Sequence, residues 1–501
     1  MTYIHFGDSA VYTQLVDRTQ ASLSEVAPAY FSLDENGGLL LTPAVSREFI
    51  RRMHDQGIKV VPYISNGWDR IKGIAALDNR YKLAVGLARA VSEYELDGVN
   101  IDLENLTPDE RGAYVDFVRL LREELPEGKT IAVAVAANPR GYLSGWAGSY
   151  DYAGLAQYCD YLMIMAYDES YYGSEPGPVA SIGFVEKSVK YALSVVSKDK
   201  IVLGLPFYGR IWREDGGSPY GYGLSGPKVE QFVRDYGVSV DFDAASESAH
   251  AVITVKPSDE KPVVNGSPLE AGTYVIWFSD ERTIKARLSL VAKYDLKGAG
   301  SWSLGQEADS TWDYFKLWLN GCAFSDVQGS WAKSYILETF LNGWMNGVSH
   351  DRFSPDLQVT RAQAATILVR MLGLEVAEGS AYGFDDCCGH WAEAYINTAR
   401  KHGIVSGVGS NIYEPERPVT REEMAVMFNN ILGAEASSPL SFSDVIESSN
   451  SWSYGAVSAL SAKGIINGYP DGSFRPKNHI TRAEITAMAS RIEPELQISQ
   501  T

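Results

Sequence analysis

The sequence predicts an α/β chain: a (β/α)8 barrel with a small α+β insertion, followed by an all-α bundle of three repeats. Three observations carry this. Short apolar strand candidates alternate with helix-length stretches through the first ~320 residues, as a closed parallel sheet requires. One segment, roughly 212–272, breaks the alternation. Beyond it three sets of motifs recur with a step of 58 to 61 residues. At 501 residues the chain also exceeds what one core supports, since single cores stop growing near ~250–300 residues.

The barrel strands are expected at Tyr3–Phe6, Pro28–Leu33, Lys59–Ile64, Gly98–Leu103, Thr130–Ala136, Tyr161–Tyr167, Ile201–Phe207 and Gly298–Leu304. Amphipathic stretches such as Arg111–Leu125 fall between them and supply covering helices. An open α/β sheet is the alternative arrangement of the same elements. Residues 212–272 contain glycine-rich turns and strand-like runs at Ala251–Val255 and Thr273–Ile276. They read as an insertion ahead of the last barrel strand, packed beside the cleft. Long excursions of this kind are often functional.

In the C-terminal third, Phe324-x-Asp326 recurs as Phe384-x-Asp386 and Phe442-x-Asp444. Trp331 recurs as Trp391 and Trp452, and Thr360-Arg361-x-Gln363 as Thr420-Arg421-x-Glu423 and Thr481-Arg482-x-Glu484. Each unit reads as helix, loop, helix. The Thr-x-x-Gln/Glu pattern before an apolar run is a capping box, in which each end of the motif satisfies a backbone N–H of the other. The expected domains are 1–320, then repeats at 321–378, 379–437 and 438–495.

Composition excludes several classes. A formal net charge of −19 argues against a non-specific nucleic-acid binder. No apolar run approaches the ~20 residues of a membrane span. Four cysteines (Cys159, Cys322, Cys387 and Cys388) are too few and too irregular for a disulfide framework or zinc site, and no two of the seven histidines stand at metal-ligand spacing. No cofactor and no metal are expected, and a monomer is. The N-terminus shows no basic segment followed by an apolar run and cleavage site, so an export signal is not part of this sequence.

The chemistry is carried by Asp97-Gly98-Val99-Asn100-Ile101-Asp102-Leu103-Glu104. Side chains alternate faces along a strand. Val99, Ile101 and Leu103 then face the helices, while Asn100, Asp102 and Glu104 face the barrel lumen. Glu104 falls at the strand's C-terminal end, the end that carries active sites in this architecture. Two carboxyls stacked in a lumen are costly to ionise together. Mutual repulsion raises one pKa and keeps that carboxyl protonated near neutral pH, as a general acid needs. The alternative is a polar strand face hydrated at the barrel mouth.

Asp-Gly-x-x-x-Asp-x-Glu at 97–104 resembles the signature of family 18 glycoside hydrolases, the chitinases and related endo-N-acetylglucosaminidases. Met165-x-Tyr167-Asp168, Leu205-x-x-Tyr208-x-Arg210 and Gly298-x-x-x-Trp302 are similar to three further strands of that family. Ala136–Pro139, Tyr167–Ser170 and Pro176–Ser181 resemble its bacillar spore and cell-wall branch. The resemblance implies a TIM barrel and retaining, substrate-assisted hydrolysis, in which the substrate's own acetamide is the nucleophile. Glu104, Asp102 and Tyr167 are then catalytic. Asp97, Asn100, Asp168, Tyr208, Arg210 and Trp302 bind substrate, Trp302 flooring the sugar site. Tyr167 and Trp302 as core aromatics, and Asp168, Tyr208 and Arg210 away from the cleft, are the competing readings. Trp68, Trp146, Tyr171 and Tyr172 stand on loops after strands and are candidates for sugar subsites. Asn100 departs from most chitinases, which carry a third acid there.

The repeats resemble S-layer homology domains, which implies anchoring to a secondary cell-wall polymer. Arg361, Arg421 and Arg482 stand at the first helical position, where the helix dipole and free N–H groups favour anions. They are the expected wall-polymer contacts, unless each pairs with an acid of its own repeat. The expected function is cleavage of β-1,4 bonds at N-acetylglucosamine in peptidoglycan, outside the cell and associated with the wall or S-layer. Chitinase action on chitin oligomers and non-catalytic glycan binding are the alternatives.

Overall fold

The computed structural model describes residues 1–349, 351–376, 383–435, 440 and 442–499, with side chains to residue 492. The chain divides into two compact units, Met1–Leu319 and Asn320–Thr501.

The first unit is a parallel barrel. Its strands are β1 (Thr2–Ile4), a second strand in two pieces, β2 (Glu25–Pro28) and β3 (Phe31–Leu33), with the hairpin partner β4 (Leu39–Leu41), and a third in two pieces, β5 (Lys59–Val60) and β6 (Tyr63–Ser65). Then come β7 (Gly98–Asp102), β8 (Thr130–Ala136), β9 (Tyr161–Met165) and β10 (Ile201–Pro206). Pro62, which has no N–H to give, stands where the third strand is interrupted. β2 pairs with β5 and β3 with β6, so the split strands still run side by side. The ring continues β6-β7-β8-β9-β10 and closes through β18 (Gly298–Trp302) onto β1 and β2. Tyr3, Ala27, Tyr63, Ala132, Ala134, Met163 and Val202 fill the lumen. All eight strand expectations therefore fall on barrel strands, and the helix expected over Arg111–Leu125 runs Arg111–Glu124.

The insertion is larger than expected. It comprises β11 (Tyr208–Arg213), β12 (Tyr220–Ser225), a helix Gly226–Tyr236, β13 (Asp241–Asp243), β14 (Ser248–Val255), the short pair β15 (Val263–Val264) and β16 (Ser267–Pro268), and β17 (Gly272–Phe278). Five of these strands form an antiparallel sheet in the order β12-β11-β17-β14-β13. Its core, including Ile211, Leu224, Phe232, Ile253 and Ile276, is separate from the barrel's. The excursion starts at 208 rather than 212 because the chain leaves β10 and enters β11 after one intervening residue.

Among the described residues the second unit holds three pairs of helices consecutive in sequence: Lys333–Leu341 and Arg361–Met371, Glu393–Lys401 and Arg421–Leu432, and Tyr454–Ala462 and Arg482–Ser499. They pack across repeats: Arg361–Met371 on Glu393–Lys401, Arg421–Leu432 on Tyr454–Ala462, and Arg482–Ser499 on Lys333–Leu341. Capping boxes open the second helix of the first two pairs at Thr360 and Thr420. Thr481 and Glu484 exchange the same reciprocal bonds in the third. Asp326, Asp386 and Asp444 of the Phe-x-Asp motifs each accept two backbone N–H bonds from their own repeat's loop, at Phe353 and Ser354, Tyr413 and Glu414, and Phe474 and Arg475. Backbone bridges Thr360 to Pro418, Thr420 to His479 and Gln358 to Thr481 link the repeats in a cycle around one shared core. The boundaries expected at 378/379 and 437/438 lie outside the described residues.

Candidate active site

β7 is positioned by its first residue and by the one just before it. Gly98 lies so close to β8 that a Cβ there would stand 2.0 Å from the Thr130 carbonyl oxygen. Asp97 accepts bonds from the Val60 N–H and His54 Nε2, both at 2.8 Å, and so ties the strand's entry to its neighbour. Asp97 is thus at the N-terminal end of the barrel, and its assignment as a substrate-binding residue is corrected to a structural one. Asn100 is also corrected. It is fully buried one layer below the cleft, where Tyr3 Oη donates to its Oδ1 at 3.1 Å, and it does not line the cavity.

Asp102 and Glu104 reach a cavity of about 340 Å3 at the strands' C-terminal ends. Tyr167, Asp168, Tyr208, Arg210 and Trp302 line the same cavity. The structure therefore brings together seven of the nine expected barrel-site residues. Such a volume is in the usual range for small-ligand sites.

Burial dominates the electrostatics. It pushes Asp102 up to about 7, against the opposing effect of a hydrogen bond from Ser65 on adjacent β6. Burial also raises Glu104 well above the carboxylate range, with the neighbouring Asp102 and Asp168 charges adding to the rise. A protonated carboxyl at neutral pH is the result. One Asp102 oxygen is buried with no hydrogen-bond partner among the described residues. Burial likewise keeps Tyr167 a neutral phenol.

The cavity wall is held by Asp168, whose backbone is in the left-handed region with φ of 57°. Its Oδ1 accepts from Tyr208 Oη at 2.6 Å and from Arg210 Nε and Nη2 at 3.0 and 2.8 Å. Charge-assisted bonds of this kind offset a conformational cost of about 1–3 kcal/mol. Arg210 and Gly223 belong to the insertion, which therefore forms part of the cavity wall, as expected.

Trp68 lines the cavity and packs edge-on against Trp146, with ring centroids 5.3 Å apart. Tyr172 stacks on Tyr222 of the insertion at 5.5 Å, and Tyr171 is exposed. Sequence reasoning missed Tyr3, Phe6, Met165 and Gln306, which also line the cavity. Tyr3, Phe6 and Gln306 stand in or just after the first and last barrel strands, so the strand-end rule that found Glu104 was the available signal.

The three arginines expected as wall-polymer contacts lie inside the helical unit. Each is buried and crosses to the next repeat in the cycle. Arg361 Nε donates to the Tyr413 carbonyl at 2.7 Å, Arg421 Nε to Phe474 at 2.8 Å and Arg482 Nε to Phe353 at 2.8 Å. The carboxylates they meet belong to the next repeat, not their own: Arg361 pairs with Glu423 at 3.3 Å and Arg421 with Glu484 at 2.5 Å. The equivalent position facing Arg482 is Gln363, and no carboxylate pairs with Arg482 among the described residues. A groove of about 110 Å3 lies there, lined by Arg482, Gln363, Arg370, Trp344 and Trp391 among others.

Residues 3–307 match the model of glycosyl hydrolases family 18. The chain belongs to that family. It is a glycoside hydrolase, and residues 323–365, 383–425 and 441–486 match the S-layer homology domain. Among curated relatives it is similar to the uncharacterized glycosylase YvbX of Bacillus subtilis, at 24% identity over 61% of this chain and 87% of the relative. It is also similar to the cortical fragment-lytic enzyme of Bacillus anthracis, at 24% identity over 57% of this chain and 66% of the relative. The fold is shared with the Bacillus cereus spore cortex-lytic enzyme SleL, with a TM-score of 0.55 and 22% identity over 64% of this chain and 73% of that one. The family 18 glycoside hydrolase thus joins a barrel to three S-layer homology repeats.

Proposed function

We propose that this glycoside hydrolase cleaves β-1,4 bonds at N-acetylglucosamine in wall or spore peptidoglycan, with retention and with the substrate's acetamide as nucleophile. The observation that carries the reading is the pair Asp102 and Glu104, both raised toward protonation and both facing one sugar-sized cavity.

Glu104 gives its proton to the glycosidic oxygen. The 2-acetamido oxygen attacks the anomeric carbon, forming an oxazolinium ion. Asp102 has a buried oxygen, unpartnered among the described residues, that suits the acetamide N–H, and its negative charge stabilises the ion. The neutral Tyr167 hydroxyl donates to the acetamide oxygen, and Trp302 offers its face to the sugar's C–H surface. Glu104, now a carboxylate, then activates water on the face the leaving group vacated. Asp168, Tyr208 and Arg210 hold the cavity wall.

The names of the cortical fragment-lytic relatives support peptidoglycan over chitin, and the S-layer homology repeats support a location at the wall or S-layer. The groove at Arg482 suits an anionic polymer group, because no carboxylate pairs with its guanidinium among the described residues.

The test compares the protein with Glu104→Gln on purified peptidoglycan, cortex fragments and chitin oligomers, with products identified by mass spectrometry. A fall of at least ~100-fold is expected for Glu104→Gln, typical of losing a general acid. Retained activity would overturn the assignment, and release of products from chitin alone would replace peptidoglycan as the substrate.

A further inference from the structure

Glu104 stands two residues past the end of β7, beyond the last ladder pairing, so no strand partner fixes it. Its main chain is instead gripped by one side chain from the neighbouring turn. Asn66 Oδ1 accepts the Glu104 N–H at 2.8 Å, and Asn66 Nδ2 donates to the Glu104 carbonyl at 2.8 Å. Nδ2 also donates to the Asp69 carbonyl at 2.8 Å. Asn66 is 3% exposed and does not line the cavity. Both donors of its amide nitrogen and one acceptor site of its amide oxygen are engaged by Glu104 and its own turn.

That turn is built to hold Asn66 still. Asp69 caps the following helix by accepting from the Ile71 and Lys72 N–H groups. Gly73 leaves the space Asn66 occupies, since a Cβ there would meet Asn66 Nδ2 at 2.9 Å. On the other side of Glu104, Asn105 adopts a left-handed φ of 56° and donates through Nδ2 to the Trp68 carbonyl at 2.9 Å. The acid therefore sits between two asparagine bonds to the same turn.

We propose that Asn66 is a positioning residue for Glu104: it fixes the main chain of the acid at the β7 terminus so that the carboxyl meets the glycosidic oxygen. The inference rests on Glu104 being the general acid. A bidentate amide clamp on the backbone leaves the carboxyl free to titrate and to point into the cavity. Misplacement of a reacting group by about 1 Å costs on the order of 10²-fold in rate.

The experiment uses the full chain with Asn66→Ala, Asn105→Gly and Glu104→Gln, each assayed below its measured melting temperature. Substrates are the natural glycan and an aryl N-acetylglucosaminide whose leaving group needs little protonation. Asn66→Ala is expected to lower kcat on the glycan by roughly 30- to 100-fold, to leave KM within about threefold, and to spare the aryl substrate relative to the glycan. Asn105→Gly keeps the left-handed backbone and the Asn66 clamp, cuts the Trp68 tether, and is expected to hold kcat within about threefold. In the Glu104→Gln background, adding Asn66→Ala is expected to cost little more, because what it positions is already lost.

Equal losses on both substrates, or a kcat for Asn66→Ala equal to that of the parent despite a lower melting temperature, would overturn the inference. So would a kcat loss in Asn105→Gly as large as that in Asn66→Ala. If Asn66→Ala does not fold, Asn66→Asp takes its place. It keeps the acceptor for the Glu104 N–H, loses both donations, and is expected to lower kcat and move its alkaline limb upward; an unmoved limb and kcat would overturn the inference. An active Glu104→Gln would instead remove the reading beneath it, a result distinct from any of these.

Discussion

Replacing Asp102 by Asn should change how the barrel's stability depends on pH. Burial places the folded-state Asp102 at about 7. In the unfolded chain an aspartate titrates near ~3.9. A group raised on folding contributes its stability in full below the unfolded value and loses it as pH rises through the folded value. Between about pH 4 and pH 8 the unfolded chain therefore ionises Asp102 freely, while the folded barrel resists. The difference of about 3 in pKa, at about 1.4 kcal/mol for each, comes to about 4 kcal/mol. Asp102→Asn removes this titration, so it should gain on the parent by up to about 4 kcal/mol across that window. The figure is an upper value, since Glu104 shares the pair's titration. At roughly 2 °C per kcal/mol for a unit of this length, the barrel's calorimetric transition should move by up to about 8 °C relative to the parent. The assay is differential scanning calorimetry of both full-length proteins from acid to mildly alkaline pH. Parallel profiles, or a gap that narrows as pH rises, would refute the burial argument.

Other outcomes follow from the same geometry. Gly73→Ala should push on Asn66 from behind and lower kcat more than KM, checked by steady-state kinetics on glycan fragments. Gln363→Glu should supply the missing carboxylate opposite Arg482, raise the helical unit's melting temperature through a third inter-repeat ion pair, and weaken co-sedimentation with isolated wall polymer; stronger wall binding would refute the groove assignment. Arg421→Ala should destabilise that unit by about 3 kcal/mol, because it strands Glu484 without its partner, a loss readable in the same calorimetric scan.

Much of this molecule was legible in its residues. The period-2 face of Asn100, Asp102 and Glu104 placed two acids in the cleft, and the closed barrel followed from the number and spacing of apolar strands. Two neighbours in that motif were misjudged because alternation gives the face of a side chain and not its depth. Asn100 faces the lumen but lies below the cavity, bonded to Tyr3, and Asp97 lies at the opposite end of the barrel. Asn66 was invisible because it acts through the main chain of a residue 38 positions away, and pairings of that kind leave no local pattern. The repeats show the same limit. Position predicted an arginine at each helix start. Which repeat each arginine would face, and that Gln363 would stand opposite Arg482 where the other two arginines meet glutamates, depended on the cyclic packing.

The most direct test of acetamide-assisted catalysis by Glu104 and Asp102 is the anomer first released from a β-linked N-acetylglucosamine substrate, followed by time-resolved proton NMR before mutarotation. Two displacements at the anomeric carbon give the β-anomer. The α-anomer as first product would mean direct attack by water, and the assigned roles of both carboxyls would be wrong.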